Sequence, residues 1–326
     1  MKENDPKKCY IFYGEETYLR DTCVEELKAY ILPAGMEAFH LHEFEGKNLT
    51  METLEEAVEC LPMMGERTLV VVTDADLYKN AGLREGLPHL LPRLPDHICL
   101  VFVYHLLEYK PDGRTGLAAA INTHASVIHF GRQPREKLIP WIRRRFLAMD
   151  REIDSREAEY LLFLCGDLMT GLIGEITKIA AYARERQVTR QDIDAVATPQ
   201  TDAVVFQMTD AIGEGDFDRA AAVLAGLLHM QESPLGLLAV LSRHLRRLYS
   251  ARLILDKGGR EEDVAALWHI HPYPAKKLLQ SARRFSPDRC RMAVCRCGET
   301  ELAMKSTGED DRDLLVSLLA ELAVGR

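Results

Sequence analysis

The residues best placed for chemistry follow the first apolar run, Cys9–Tyr13, where the chain reads Gly14-Glu-Glu-Thr-Tyr-Leu19. A phosphate-cradling loop there would need G-x-x-x-x-G-K-[ST], because its backbone N–H groups and Lys neutralise phosphate oxygens. Two carboxylates stand at that place instead and would repel a triphosphate. The Gly46-Lys47 dipeptide lacks the upstream glycine and is followed by Asn48. Asp74-Ala-Asp76, after the third apolar run, resembles an acidic strand end that holds magnesium, but without a phosphate loop it has little to hold. His40, His42 and Glu43 fall together on an expected second strand, with no third ligand in sight; they read as polar residues at a sheet end. Cys290, Cys295 and Cys297 lack the second ligand pair that zinc sites usually carry and read as small apolar residues on a helix. His269 and His271, beside prolines, read as loop or cap residues. The chain has no H-E-x-x-H, G-x-S-x-G or G-x-G-x-x-G. No catalytic residue, metal or cofactor is therefore assigned.

The elements that would carry these residues change character along the chain. Cys9–Tyr13, Phe39–Phe44, Thr68–Thr73, Ile98–Tyr104 and the weaker Ser126–Phe130 read as strands, and TLVVVT and ICLVFVY have the continuous apolar character of strands buried on both faces. Helical spacing at about 16–30, 51–60, 80–93 and 114–123 separates them, with Thr50 as an N-cap, so the first part is α/β with a parallel sheet. From Gln133 the pattern is helical: a basic amphipathic helix over Gln133–Met149, a cap at Thr189-Arg-Gln-Asp192, and a break at Pro199. Beyond Val204, breakers at 213–215, 231–234, 258–259, 272–274, 286–287 and 306–308 predict five or so helices.

A length of 326 residues suits two or three domains, and 47% hydrophobic with 28% charged residues is ordinary for a soluble protein. The polar start and the shortness of every apolar stretch predict neither a secretory signal nor a membrane span, and eight scattered cysteines fit a reducing compartment, so a cytoplasmic location is expected. Net charge is −9, yet residues 243–296 hold 13 basic against 5 acidic side chains. Overall acidity argues against a free-standing nucleic-acid-binding module, while the basic zone allows local contact with phosphate. Arg243, Arg246 and Arg247, at i, i+3, i+4, share a helix face and either solvate the outside of the last domain or lie near DNA.

Several blocks, taken in order and spacing, carry a resemblance. They are Tyr13-Gly14-Glu15-Glu16 with Leu19, Leu61-Pro-Met-Met-Gly-Glu-Arg-Thr-Leu-Val-Val-Val72, and Leu172-Ile-Gly-Glu-Ile-Thr-Lys178. Val205-Phe-Gln-Met-Thr-Asp-Ala-Ile-Gly-Glu-Gly-Asp216, His271-Pro-Tyr-Pro-Ala-Lys-Lys-Leu278 and Met304-Lys305-Ser306 with Gly308 complete the set. Along nearly its whole length the chain resembles delta subunits of the bacterial DNA polymerase III clamp loader. The resemblance implies an AAA+-like α/β domain that has lost its nucleotide site over 1–132, a helical lid domain over 133–202, and an all-α collar domain over 203–326. It also implies a role without catalysis: binding and opening the beta sliding clamp so that it can be loaded on primed DNA, in company with tau/gamma and delta-prime subunits. The implied clamp contact is Met63 and Met64, flanked by Leu61 and Pro62, where the family usually has an apolar pair including Leu and Phe. Read alone, two Met between a helix and a strand are core filler at a βα corner. Met is unbranched and polarizable, so it can also fill an irregular pocket on a partner. An active ATPase of the same architecture and a general nucleic-acid-binding module are the competing functions.

Overall fold

In the computed structural model, residues 7–32, 35, 37–62, 67–229 and 233–324 are described. The chain divides into two compact units, one of residues 1–138 with 168–170, the other of 139–167 with 171–326.

The first unit is a five-stranded parallel sheet in the order β2-β3-β4-β1-β5, made by β1 (Cys9–Tyr13), β2 (Leu41–Glu45), β3 (Thr68–Thr73), β4 (Ile98–Val103) and β5 (Ser126–His129). The two apolar runs read as doubly buried are β3 and β4, two of the three inner strands. Their period of two sends Val70, Val72, Leu100 and Phe102 into one core and Leu69, Val71, Val101 and Val103 into another. The first core is shared with α3 (Met51–Glu59), α4 (Ala81–Leu90) and α5 (Gly116–His124), the second with α1 (Thr17–Ile31). Thr50, Asn80 and Thr115 cap α3, α4 and α5 by accepting from the backbone N–H of Thr53, Leu83 and Ala118 at 3.1, 3.2 and 3.2 Å. The edge strands are half exposed, and β2 (LHEFE) carries the charge that discourages pairing with another chain. β2 begins two residues later than expected, because α2 (Glu37–His40) occupies the chain before it. His40 therefore closes a helical turn instead of sharing a strand face with His42. Among the described residues no group of three His, Cys, Asp or Glu could hold a metal ion.

The second unit takes in α6 (Arg135–Leu147) from Ile139, α7 (Ser155–Cys165), α8 (Met169–Tyr182) from Gly171, and α9 (Arg190–Val196), whose Thr189–Asp192 pair forms the expected capping box. Among the described residues seven helices follow, where five or so were expected: α10 (Thr201–Glu214), α11 (Phe217–His229), α12 (Pro234–Asp256), α13 (Glu261–Trp268), α14 (Pro272–Ala282), α15 (Pro287–Ser306) and α16 (Asp311–Val324). Each of the six predicted breaks falls at a helix boundary, three of them with a proline that opens the next helix. Gly215, Gly258 and Gly308 sit in the left-handed region that only glycine adopts without strain. Pro234, Pro272 and Pro287 each open a helix, behind Ser233, His271 and Ser286 as caps. The 23-residue α12 is the centre of the unit, with Leu237, Leu238, Leu241, Leu245 and Leu248 forming its buried stripe. On α15, Cys290 and Cys297 are buried and serve as the expected small apolar residues, whereas Cys295 faces solvent. No single helix among the described residues is long and apolar enough to cross a membrane.

One buried polar pair makes this core sensitive to acid. The Thr209 hydroxyl donates to the Phe206 carbonyl and lies 2.7 Å from His244 Nε2, which is placed to donate to it. Burial, aided by the nearby Arg247, pulls the His244 pKa down to about 4. The unfolded chain then binds a proton that the folded one refuses, so stability is full above about pH 6.5 and falls as pH drops towards 4. The loss from this one group should approach about 3 kcal/mol, 1.36 kcal/mol for each pH unit of depression. Urea unfolding followed at pH 7.5, 5.5 and 4.5 should show it, and His244→Gln should flatten the dependence. An equal slope in the variant would assign the acid loss to other groups.

Candidate functional site

In a parallel sheet every strand ends on the same side, and this side is where β1, lying between β4 and β5, would present a phosphate loop. Here Gly14 takes φ +125°, and a side chain on it would bring Cβ within 2.3 Å of the Phe130 carbonyl oxygen. The tight approach lets Glu16 N–H donate to that carbonyl at 2.9 Å, pinning the start of α1 against the end of β5. The Glu16 side chain is fully buried, and both its carboxylate oxygens accept from the Met169 N–H at 3.2 Å. The Thr17 hydroxyl pairs with that of Thr170.

Arg20 fills the space beside it. It is 1% exposed and donates to the Tyr104 carbonyl at 2.6 Å, to His105 Nδ1 at 2.7 Å and to Asp21 at 3.1 Å. The sequence reading passed over this residue, although a signal existed. Arg20 falls on the same stripe of α1 as Val24, Leu27 and Ile31, so a charged side chain had to point inward and find partners.

Asp74 and Asp76 are engaged as well. Asp74 has left-handed backbone, φ 53°, and its Oδ1 accepts three consecutive N–H groups, from His105, Leu106 and Leu107, at 2.8, 2.9 and 3.0 Å. Burial pushes its carboxyl up, but the three bonds outweigh this and hold it below the usual range. Asp76 accepts from Lys79 N–H and pairs with Lys79 Nζ, both at 3.1 Å. The strand ends are thus tied together by the chain's own polar groups, and the acids that resembled magnesium ligands shape loops.

The segment expected to contact a partner falls between α3 and β3, and of it the structure describes only Leu61 and Pro62. It leaves α3 at Cys60 and enters β3 from its N-terminal end at Thr68. Leu61 is 74% exposed and Pro62 half-buried, while Met63 and Met64 lie outside the described residues. Both flanks are held firmly, since Val58 and Thr68 are each 1% exposed.

The three arginines of α12 separate in their engagements. Arg243 is exposed and pairs with Asp202 at 2.8 Å. Arg246, also exposed, donates to the Ser242 hydroxyl at 2.9 Å. Arg247 is half-buried, its guanidinium 5.8 Å from the Trp268 ring centroid; burial, with Arg243 close by, lowers its pKa.

Two family models match the chain: DNA polymerase III, delta subunit, over residues 10–131, and DNA polymerase III delta subunit, C-terminal domain, over residues 202–322. The chain belongs to the DNA polymerase III delta subunit family. The chain is 23% identical over 327 residues to DNA polymerase III subunit delta of Bacillus subtilis, covering 98% of this chain and 93% of that one. It is 22% identical over 260 residues to a probable DNA polymerase III subunit delta of Aquifex aeolicus, covering 77% and 73% respectively. The solved Bacillus subtilis DNA clamp loader delta protein has the same fold, with a TM-score of 0.52 at 20% identity over 97% of this chain and 95% of that one. Family membership makes this chain a non-catalytic clamp-loader component of DNA polymerase III, and its described residues form a parallel-sheet domain and a helical C-terminal part.

Proposed function

We propose that this delta subunit binds the beta sliding clamp through Leu61, Pro62, Met63 and Met64 and opens it for loading on primed DNA. The observation that carries the reading is Leu61, a large apolar side chain 74% exposed on a segment whose flanks are buried. An exposed apolar side chain on a firm base can dock in a pocket without first costing much loop entropy. Opening follows if the segment binds the open clamp better than the closed one, so that binding free energy shifts the clamp's own equilibrium.

In the same proposal, residues 1–132 act as the AAA+-like domain without a nucleotide site, 133–202 as a lid, and 203–326 as the collar that joins the tau/gamma and delta-prime subunits. The assembly works in the cytoplasm. Arg243, Arg246 and Arg247 are assigned to the DNA path, with Arg243 partly neutralised by Asp202 and so expected to contribute least to salt dependence.

The test is a titration of the purified chain against the beta clamp of its own organism, read by surface plasmon resonance. A saturable complex of micromolar or tighter affinity is expected, and its absence at about 100 μM would remove the proposal.

A further inference from the structure

We infer that the second unit carries a docking site for an acidic peptide segment of a partner protein, built on α6 and the turn that follows it. The site is separate from the clamp-binding segment and does not depend on it. Pro140, Arg143, Arg144 and Leu147 recur at i, i+3, i+4 and i+7, so they form one stripe of α6. The stripe borders a recess of about 470 Å³ that Arg151 and the buried Ile153 also line.

Three guanidinium groups therefore line one recess, and their pairing is incomplete. Arg143 and Arg144 are exposed, and within their unit their side chains have no hydrogen-bond or ion-pair partner among the described residues. Arg151 is held in place by the carbonyls of Asp150 and Ala183, at 3.1 and 3.0 Å, and not by a carboxylate. Its Nε is buried with no hydrogen-bond partner. Two acids also line the recess. Glu152 is committed to Arg186 at 2.8 Å, and Asp154 stands before α7 without capping it through its side chain. The uncommitted charge is thus strongly positive.

The lining decides which anion fits. Leu147 is 56% exposed, and with Pro140 and Ile153 it puts apolar surface between and beside the arginines. A bare phosphate would leave that surface wet. A peptide that alternates carboxylates with a large apolar side chain satisfies both halves, since Arg forks take carboxylates in bidentate fashion and the apolar residue covers Leu147.

The probe is a fluorescein-labelled, amidated peptide, Asp-Asp-Leu-Glu-Asp-Leu, titrated with the full-length chain and followed by fluorescence anisotropy. Arg143→Glu with Arg144→Glu should weaken binding at least about tenfold, and Leu147→Ala should weaken it several-fold. Lys305→Glu, a charge reversal on the distant α15, should leave it unchanged. The uncharged peptide Asn-Asn-Leu-Gln-Asn-Leu should not bind, and inorganic pyrophosphate should compete poorly. The inference is overturned if the acidic peptide shows no saturable binding at about 1 mM, or if the α6 variants bind it as the unmodified chain does. It is also overturned if a single-stranded oligonucleotide displaces the peptide and loses affinity more steeply with the same variants.

Discussion

A chain carrying Met63→Ala and Met64→Ala should keep its melting temperature and lose at least about a hundredfold in affinity for the beta clamp. Burying two Met side chains in a partner is worth about 3–6 kcal/mol, and 1.36 kcal/mol is a factor of ten. The lower end of that range already exceeds two decades. Most of the loss should appear in the dissociation rate, because truncation removes short-range contact and leaves the long-range charge untouched. Surface plasmon resonance supplies both rates, and thermal denaturation by circular dichroism supplies the control. Leu61→Ala extends the test to the exposed flank and should cost less, being one side chain at the edge of the contact. Unchanged affinity in the double variant would place the clamp contact elsewhere on the chain.

Arg20→Leu should destabilise the first unit by about 3 kcal/mol. The substitution keeps apolar bulk near the helix axis but strands the Tyr104 carbonyl, which loses a 2.6 Å bond. An orphaned buried acceptor costs about 1–3 kcal/mol, and the neighbouring contacts to His105 and Asp21 go with it. The two tryptophans, Trp141 and Trp268, both belong to the second unit. Urea unfolding read by circular dichroism should therefore shift to lower denaturant, while the tryptophan-fluorescence transition moves less. Arg20→Lys should recover part of the loss, since a single ammonium can reach one carbonyl but cannot reproduce the guanidinium fork. A circular-dichroism midpoint unchanged in Arg20→Leu would mean that Arg20 fills space without supporting the end of the sheet.

The polar groups at the C-terminal ends of the strands and the exposed Leu61 ahead of β3 differ in how they are engaged. At the C-terminal end of the strands, Glu16, Arg20 and Asp74 spend their hydrogen bonds on the protein's own backbone. At the other end, ahead of the N-terminus of β3, Leu61 is 74% exposed. Charged groups that in another protein would meet a ligand here hold a scaffold rigid, and the chemistry left over is apolar burial.

What the sequence determined by itself was local or periodic. The continuous apolar runs Thr68–Thr73 and Ile98–Tyr104 supply inner strands because side chains on both faces of such a strand meet a covered core. The breakers after Val204 fall at helix boundaries because Gly allows a left-handed end and Pro suits only the first turn, whatever surrounds them. Thr50 and the Thr189–Asp192 box were legible for the same reason, a short side chain bonding a backbone N–H three residues on. The carboxylates at Glu15 and Glu16 excluded a phosphate loop by type alone. The candidate contact at Met63 and Met64 came from the order and spacing of family blocks, and among its neighbours the structure bears on Leu61, which is exposed.

Tertiary structure decided the rest, because it depends on which distant segments meet. Asp74 grips residues 31 to 33 positions away, Arg20 bonds a carbonyl 84 residues away, and Glu16 accepts from Met169, 153 residues on. None of these pairings has a period or a fixed offset. His244 reads as one more polar residue in an apolar helix until Thr209 and Phe206 are seen to enclose it. The recess beside α6 is a similar case: the stripe Pro140, Arg143, Arg144 and Leu147 is written in the sequence, but Arg151 reaches it only because the chain turns back after Leu147. Spacing along a chain reports on one helix or one strand, and long-range pairing of polar groups is settled only when the layers close and each buried donor finds its acceptor.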